Sequence, residues 1–141
     1  MTGVIAALIS GALMSIQGVF NTEVTKAAGM WAANGWAQLT ALAVCAAAWL
    51  VTGRSSLGAL FTVKPYFLLG GVLGAFITAT VIGSMNSLGP ARAVMIIVVS
   101  QLVVAYLIEL FGLFGVETVP FEWRKALGLG LAVWGIVLFK W

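Results

Sequence analysis

Five apolar runs, at about residues 3–20, 30–52, 65–85, 91–114 and 125–140, follow one another along a chain of 141 residues. Each has about the length at which one helix of roughly 20 residues crosses a hydrocarbon core ~30 Å thick. In that medium no water is present to bond exposed backbone groups, so a span must satisfy its own N–H and C=O groups, and a continuous apolar run does so as a helix. A barrel strand would alternate over about ten residues, and these runs do not alternate. Short polar or turn-forming stretches separate them at 21–26, 52–56, 86–90 and 115–120. The expectation is an all-α membrane protein with five transmembrane helices, residues 1–141 forming a single transmembrane domain with the termini on opposite faces. The alternative is four crossings, with one weaker segment lying along the interface.

Composition agrees with lipid as the main solvent. Hydrophobic residues make up 62% of the chain and charged residues 8%, against about a quarter charged in soluble domains. The seven basic residues are spread over the whole length and form no stripe of the kind that grips phosphates, so nucleic acid is not an expected partner. Histidine is absent, which removes the usual neutral-pH base, His-based metal sites and the Ser-His-Asp or Cys-His triads. No enzymatic role, metal or cofactor is expected. The single Cys45 lies in the apolar run 43–47, forms no intrachain disulfide and is expected to be a small buried hydrophobe. The N-terminus lacks a basic leader and its apolar run continues through Phe20, so it is expected to be a retained helix. Trp31, Trp49, Trp123 and Trp141 mark helix ends at headgroup level, and Trp36 and Trp134, lying deeper, are expected to pack.

Charge gives no clear orientation. With five crossings, Arg54, Lys64, Arg124 and Lys125 fall on one face and Lys26, Arg92 and Lys140 on the other, an almost flat distribution. Either the topology is fixed by other features, or the chain inserts both ways and pairs antiparallel. Small residues allow helices to approach closely in lipid. Gly70, Gly74 and Thr78 form one stripe of segment three, and Gly71, Ala75, Ala79 and Gly83 form its neighbour. Gly128 and Gly135 lie a heptad apart in segment five, and all these glycines are expected to serve helix packing.

Polar groups inside hydrocarbon are the candidates for chemistry, since each central charge costs about 2.5–3.5 kcal/mol on insertion scales. Gln17 and Asn21 share a face of segment one, with Glu23 just beyond. Gln101 and Glu109 share a face of segment four, with Ala105 between them and Tyr106 beside it. Gln17, Asn21, Gln101 and Tyr106 are the candidate substrate-binding residues, and Glu109 and Glu23 the candidates for ion or proton coupling. Each acid also has a plainer role: Glu109 near its helix end can reach interfacial water, and Glu23 can pair with Lys26. Arg92 is expected to anchor in headgroups or meet an anion, and Asn86 to cap or turn.

The strings Gln17-Gly18-Val19-Phe20-Asn21, Leu88-Gly89-Pro90-Ala91, Ser100-Gln101-Leu102 and 109–115 (ELFGLFG), in this order and spacing, together with the closing 135–140, carry a resemblance over nearly the whole chain. The sequence resembles the YdcZ-like family of small inner-membrane exporters in the drug/metabolite transporter superfamily. That resemblance implies a five-helix half-transporter of a bacterial-type inner membrane that pairs as an antiparallel homodimer, matching ten-helix relatives built of two inverted five-helix repeats. The family pattern more often carries aspartate where Glu109 stands. The smallest relatives exchange protons for cations through a glutamate within helix one, whereas Glu23 here is nearer the end, so the resemblance alone does not imply proton coupling. The expected function is secondary transport, export of small metabolites or organic ions by alternating access, through a cavity lined by segments one, three and four. The alternative is a non-transporting structural or regulatory subunit of a larger membrane complex. An intramembrane lipid enzyme is disfavoured, since no nucleophile–base pair or metal-ligand cluster is visible.

Overall fold

The computed structural model describes residues 2–53 and 56–140, the side chain of Lys140 excepted. The charges assigned to Arg54 and Lys140 and the end-marking role of Trp141 lie outside what is described. Five α-helices follow in order: α1 Thr2–Ala28, α2 Met30–Val51, α3 Gly70–Leu88, α4 Pro90–Phe111 and α5 Trp123–Lys140. There is no strand among the described residues. The chain divides into two compact units, Met1–Ser87 and Leu88–Trp141.

The stretch 21–26, expected as a loop, is helical. α1 continues through it for 27 residues, about 40 Å at ~1.5 Å per residue, which exceeds the ~30 Å hydrocarbon core. Polar residues here mark helical turns that extend past the apolar core. The break comes instead at Gly29, with φ 84° and ψ 159°, a conformation essentially closed to other residues. The Gly29 N–H donates to the Thr25 carbonyl at 2.9 Å, and its own carbonyl accepts from the Ala33 N–H at 3.0 Å. One residue therefore ends α1 and begins α2. Gly89 repeats the device with φ 80° and ψ 158°, and Pro90 follows at the first helical position, where a missing N–H has no partner to lose. Asn86, expected to cap or turn, lies inside α3, and no side chain caps α4.

Segment four was expected to reach residue 114, but α4 stops at Phe111. Gly112 adopts the left-handed conformation, φ 60° and ψ 34°, and its N–H bonds back to the Ile108 carbonyl, a common way for glycine to close a helix. Segment three opens as a short 3-10 turn at Pro65–Leu69 before α3 begins.

Among the described residues four helical stretches are long and apolar enough to cross a bilayer: Thr2–Ala28, Met30–Val51, Pro65–Leu88 and Pro90–Phe111. α5 is the exception. Its 18 residues carry Arg124 and Lys125 just after the opening Trp123 and close on Lys140, leaving the apolar stretch 126–139, whose 14 residues span about 21 Å. The fifth run thus forms a helix, but basic residues at both ends set it apart from the other four.

Hydroxyl groups on these helices turn inward on their own backbone. Ser15, Thr22, Thr25, Thr40, Thr52, Thr78, Thr80, Ser84 and Ser87 each donate to the carbonyl four residues earlier, at 2.7–3.1 Å. This back-bonding satisfies the donor within the segment, which is how a hydroxyl is carried in lipid at little expense.

In the first unit, buried residues gather on three helices: Gly18 and Thr22 of α1, Ala33 and Asn34 of α2, and Ala79, Ile82 and Met85 of α3. A Cβ added at Gly18 would run into the Met85 thioether, so Gly18 is where α3 closes on α1. Two expectations about packing fail. Cys45 is exposed rather than buried, and Trp36 and Trp134 are 60% and 61% exposed, so neither packs within the chain. Both predictions treated an apolar residue in a membrane span as a core residue, whereas most of such a helix faces outward.

Candidate functional site

In the first unit, α2 presents two amides to α3. Asn34, 3% exposed, donates from Nδ2 to the Ala75 carbonyl at 2.8 Å. Gln38, one turn on, donates from Nε2 to Thr78 Oγ1 at 3.3 Å and to Asn34 Oδ1 at 3.4 Å. The Thr78 hydroxyl passes its own proton to the Gly74 carbonyl at 3.0 Å, which leaves its lone pairs for Gln38. This network corrects the expectation that deep polar groups are confined to segments one and four. The signal was present in the sequence as two amides four residues apart, 34 and 38, which place both on one face of α2.

On another side of α2 lies an open groove of about 850 Å³ against α1. Gln17 and Asn21 of α1 both line it, as their four-residue spacing predicts, facing Trp36, Thr40 and Cys45 of α2. No charged side chain lines it. Thr40 donates its proton to the Trp36 carbonyl at 3.0 Å, so toward the groove it offers an acceptor. Glu23 is not part of the lining. Its carboxylate pairs with Lys26 three residues on, and both side chains are more than half exposed, a setting in which an ion pair is worth little.

In the second unit an open pocket of about 330 Å³ lies between α4 and α5. Tyr106 and Glu109 line it from α4, with Leu102 and Ala105, and Lys125, Gly128 and Leu129 line it from α5. Its rim is fastened by backbone bonds: the Val119 N–H donates to the Glu109 carbonyl at 3.1 Å, and the Glu122 N–H donates to the Tyr106 hydroxyl at 3.2 Å. Lys125 Nζ lies 5.8 Å from the Tyr106 ring centre and 3.5 Å from Glu122 Oε1. Among the described residues the half-buried Glu109 carboxylate has neither a hydrogen bond nor an ion pair. Lys125 and Glu122 were not singled out in the sequence, because a loop-end ion pair carries no pattern that separates it from a solvated one.

Gln101 is exposed on α4 and lines neither cavity. The glycines expected to pack do little of it inside the chain. A Cβ at Gly70, Gly71, Gly74, Gly128 or Gly135 would meet nothing within 4 Å, and one at Gly83 would touch only Met30 Cε at 3.9 Å. Gly128 instead forms part of the pocket wall. Among the described residues no cluster of three His, Cys, Asp or Glu side chains could hold a metal ion.

Helices of this length and apolarity define a multi-pass membrane protein. Residues 2–138 match the family model described as "Putative inner membrane exporter, YdcZ". The chain belongs to this family, and with it to the inner membrane. No curated protein and no solved structure matches the chain.

Proposed function

We propose that the chain is a half-transporter: a secondary transporter that exports small metabolites or organic ions by alternating access. It works as a homodimer of oppositely inserted copies, ten helices in all. In this reading α5 is the fifth crossing, with Arg124 and Lys125 reaching back to one interface and Lys140 lying at the other. Gln17, Asn21 and Tyr106 bind the solute, with Gln101 on a face completed by the second copy. Glu109 is the coupling group, and the pairing of Glu23 with Lys26 leaves it the lesser candidate.

The observation that supports this most is the state of Glu109. A carboxylate on a membrane-spanning helix is expensive, and such groups persist where they serve a path or a partner. This one has no hydrogen bond or ion pair among the described residues and lines a cavity. The open glycine faces of α3 support the dimer, since close-approach surfaces left uncovered within the first unit suit the helix of another copy.

The test is export from cells expressing the native chain, Glu109→Gln or the Gln17→Ala/Asn21→Ala pair, profiled by mass spectrometry of the medium. Loss of the same exported solutes in both variants is expected, and export unaltered in both refutes the reading. Reporter fusions at the C-terminus check the dimer: comparable signal from both faces is expected, and one uniform orientation excludes an antiparallel pair of this chain alone.

A further inference from the structure

The pocket of the second unit holds two opposite charges that do not neutralise each other. Glu109 and Lys125 line the same cavity of about 330 Å³, yet Lys125 closes on Glu122 at the rim and the Glu109 carboxylate has no partner among the described residues. The separation is built in. Val119 and Glu122 are bonded to α4 through the Glu109 carbonyl and the Tyr106 hydroxyl, which fixes the start of α5 beside these residues. Lys125 is about two-fifths exposed and Glu122 about half; a pair so exposed is weak and exchanges readily for a better anion. Space between the two charges is kept by small residues: Ala105 on one wall and Gly128 on the other, where an added Cβ would meet nothing within 4 Å.

Resting on the transporter reading above, we infer that this pocket takes a small zwitterion of the amino-acid type, its ammonium on Glu109 and its carboxylate on Lys125. An isolated organic cation would meet the repulsion of Lys125, and an isolated anion that of Glu109; a solute carrying both charges satisfies each. The Tyr106 ring lies under the Lys125 ammonium and so helps to hold that cation at the pocket, where the ligand's carboxylate would meet it. At about 330 Å³ the pocket lies at the low end of the range for small-molecule sites, which suits a small solute rather than a drug-sized one.

The test uses the full chain in lipid nanodiscs and titration calorimetry with L-leucine and its two halves: isoamylamine, which lacks the carboxylate, and 4-methylpentanoate, which lacks the ammonium. Glycine and L-phenylalanine bracket the size. Leucine is expected to bind at least about tenfold more tightly than either half, the scale of one charged hydrogen-bonding partner. Lys125→Met is expected to bring isoamylamine level with leucine, and Glu109→Gln to do the same for 4-methylpentanoate. Gly128→Leu, which fills the wall, is expected to abolish binding of leucine while the helical circular dichroism stays native. Binding of isoamylamine or 4-methylpentanoate as tight as that of leucine in the native chain overturns the inference, as does the absence of binding by all three amino acids. In either case, Glu109-dependent export of other solutes leaves the transporter reading standing, whereas zwitterion binding without export overturns that reading alone.

Discussion

The amides of α2 give the sharpest test of how this chain holds together in lipid. Asn34→Leu keeps roughly the volume of the side chain but removes the 2.8 Å bond to the Ala75 carbonyl and one of the two acceptors of Gln38. Hydrogen bonds between helices in a bilayer average ~0.6 kcal/mol and reach ~1.7 kcal/mol. Asn34 is almost fully buried and its bond to Ala75 is short, so that bond belongs at the upper end; the 3.4 Å contact with Gln38 adds little. The sum is about 1.5–2 kcal/mol, a factor of roughly 10 to 30 in the unfolding constant. The assay is reversible unfolding of the purified chain in mixed micelles titrated with dodecyl sulfate, followed by circular dichroism. A double-mutant cycle of Gln38→Leu with Thr78→Val isolates the weaker 3.3 Å contact, for which a coupling near 0.5 kcal/mol is expected. If Asn34→Leu were as stable as the native chain, and the cycle showed no coupling, these amides would not be holding α2 to α3. Their burial would then need another explanation.

Backbone geometry carries two further predictions. Gly29→Ala forces a Cβ into a conformation that costs of order 1–3 kcal/mol, and a matching loss of stability in the same titration is expected, whereas the control Gly35→Ala, inside α2 with open space at its Cβ, is expected to leave stability unchanged or raise it by up to about 1 kcal/mol. Gly112→Ala is strained by its positive φ and also by Thr118, whose Cγ2 lies 2.6 Å from where the new Cβ would sit; relief by adding Thr118→Ser would assign the steric part. Glu23→Gln removes only an exposed ion pair, so a change within ~0.5 kcal/mol, shrinking further at high salt, is expected in a thermal melt. Cys45, the chain's one thiol, faces the α1–α2 groove. It should react with a small maleimide in the folded protein at a rate far above that of a buried thiol, and failure to label before unfolding would contradict the open groove.

Apolar runs of about 20 residues leave no other secondary structure available in lipid, which is why the helical class and the positions of α2, α3 and α4 were readable from the sequence. What misled was the treatment of polarity as a loop signal. The residues at 21–26 belong to a helix longer than the hydrocarbon core, and the backbone of Gly29, not hydropathy, sets where it ends. The break at Gly89-Pro90 was legible because both residues have fixed backbone meanings; Gly29 has the same geometry without a proline to announce it. In the candidate site, Gln17 with Asn21 and Tyr106 with Glu109 lie at their cavities because helical spacing settles which residues share a face. Asn34 and Gln38 have the same four-residue amide spacing as Gln17 and Asn21 and were passed over. Nor does spacing along one helix say which face meets a neighbour, and the glycine stripes of α3 show the consequence: smooth surfaces that nothing in the first unit covers.

The single-residue joint at Gly29 also bears on how the protein is made. Chains emerge N-terminus first, at about 5–20 residues per second. α2 is the least apolar of the four spanning stretches, and the carbonyl and hydroxyl that Asn34 and Gln38 bond lie 41 and 40 residues further along. For several seconds those amides have no acceptor on α3. With only one residue between them, α1 and α2 are best placed to enter the bilayer as a hairpin, with the strongly apolar α1 carrying its more polar neighbour. Docking of α3 then completes the polar pairing, which makes the order of synthesis itself part of how this membrane fold is assembled.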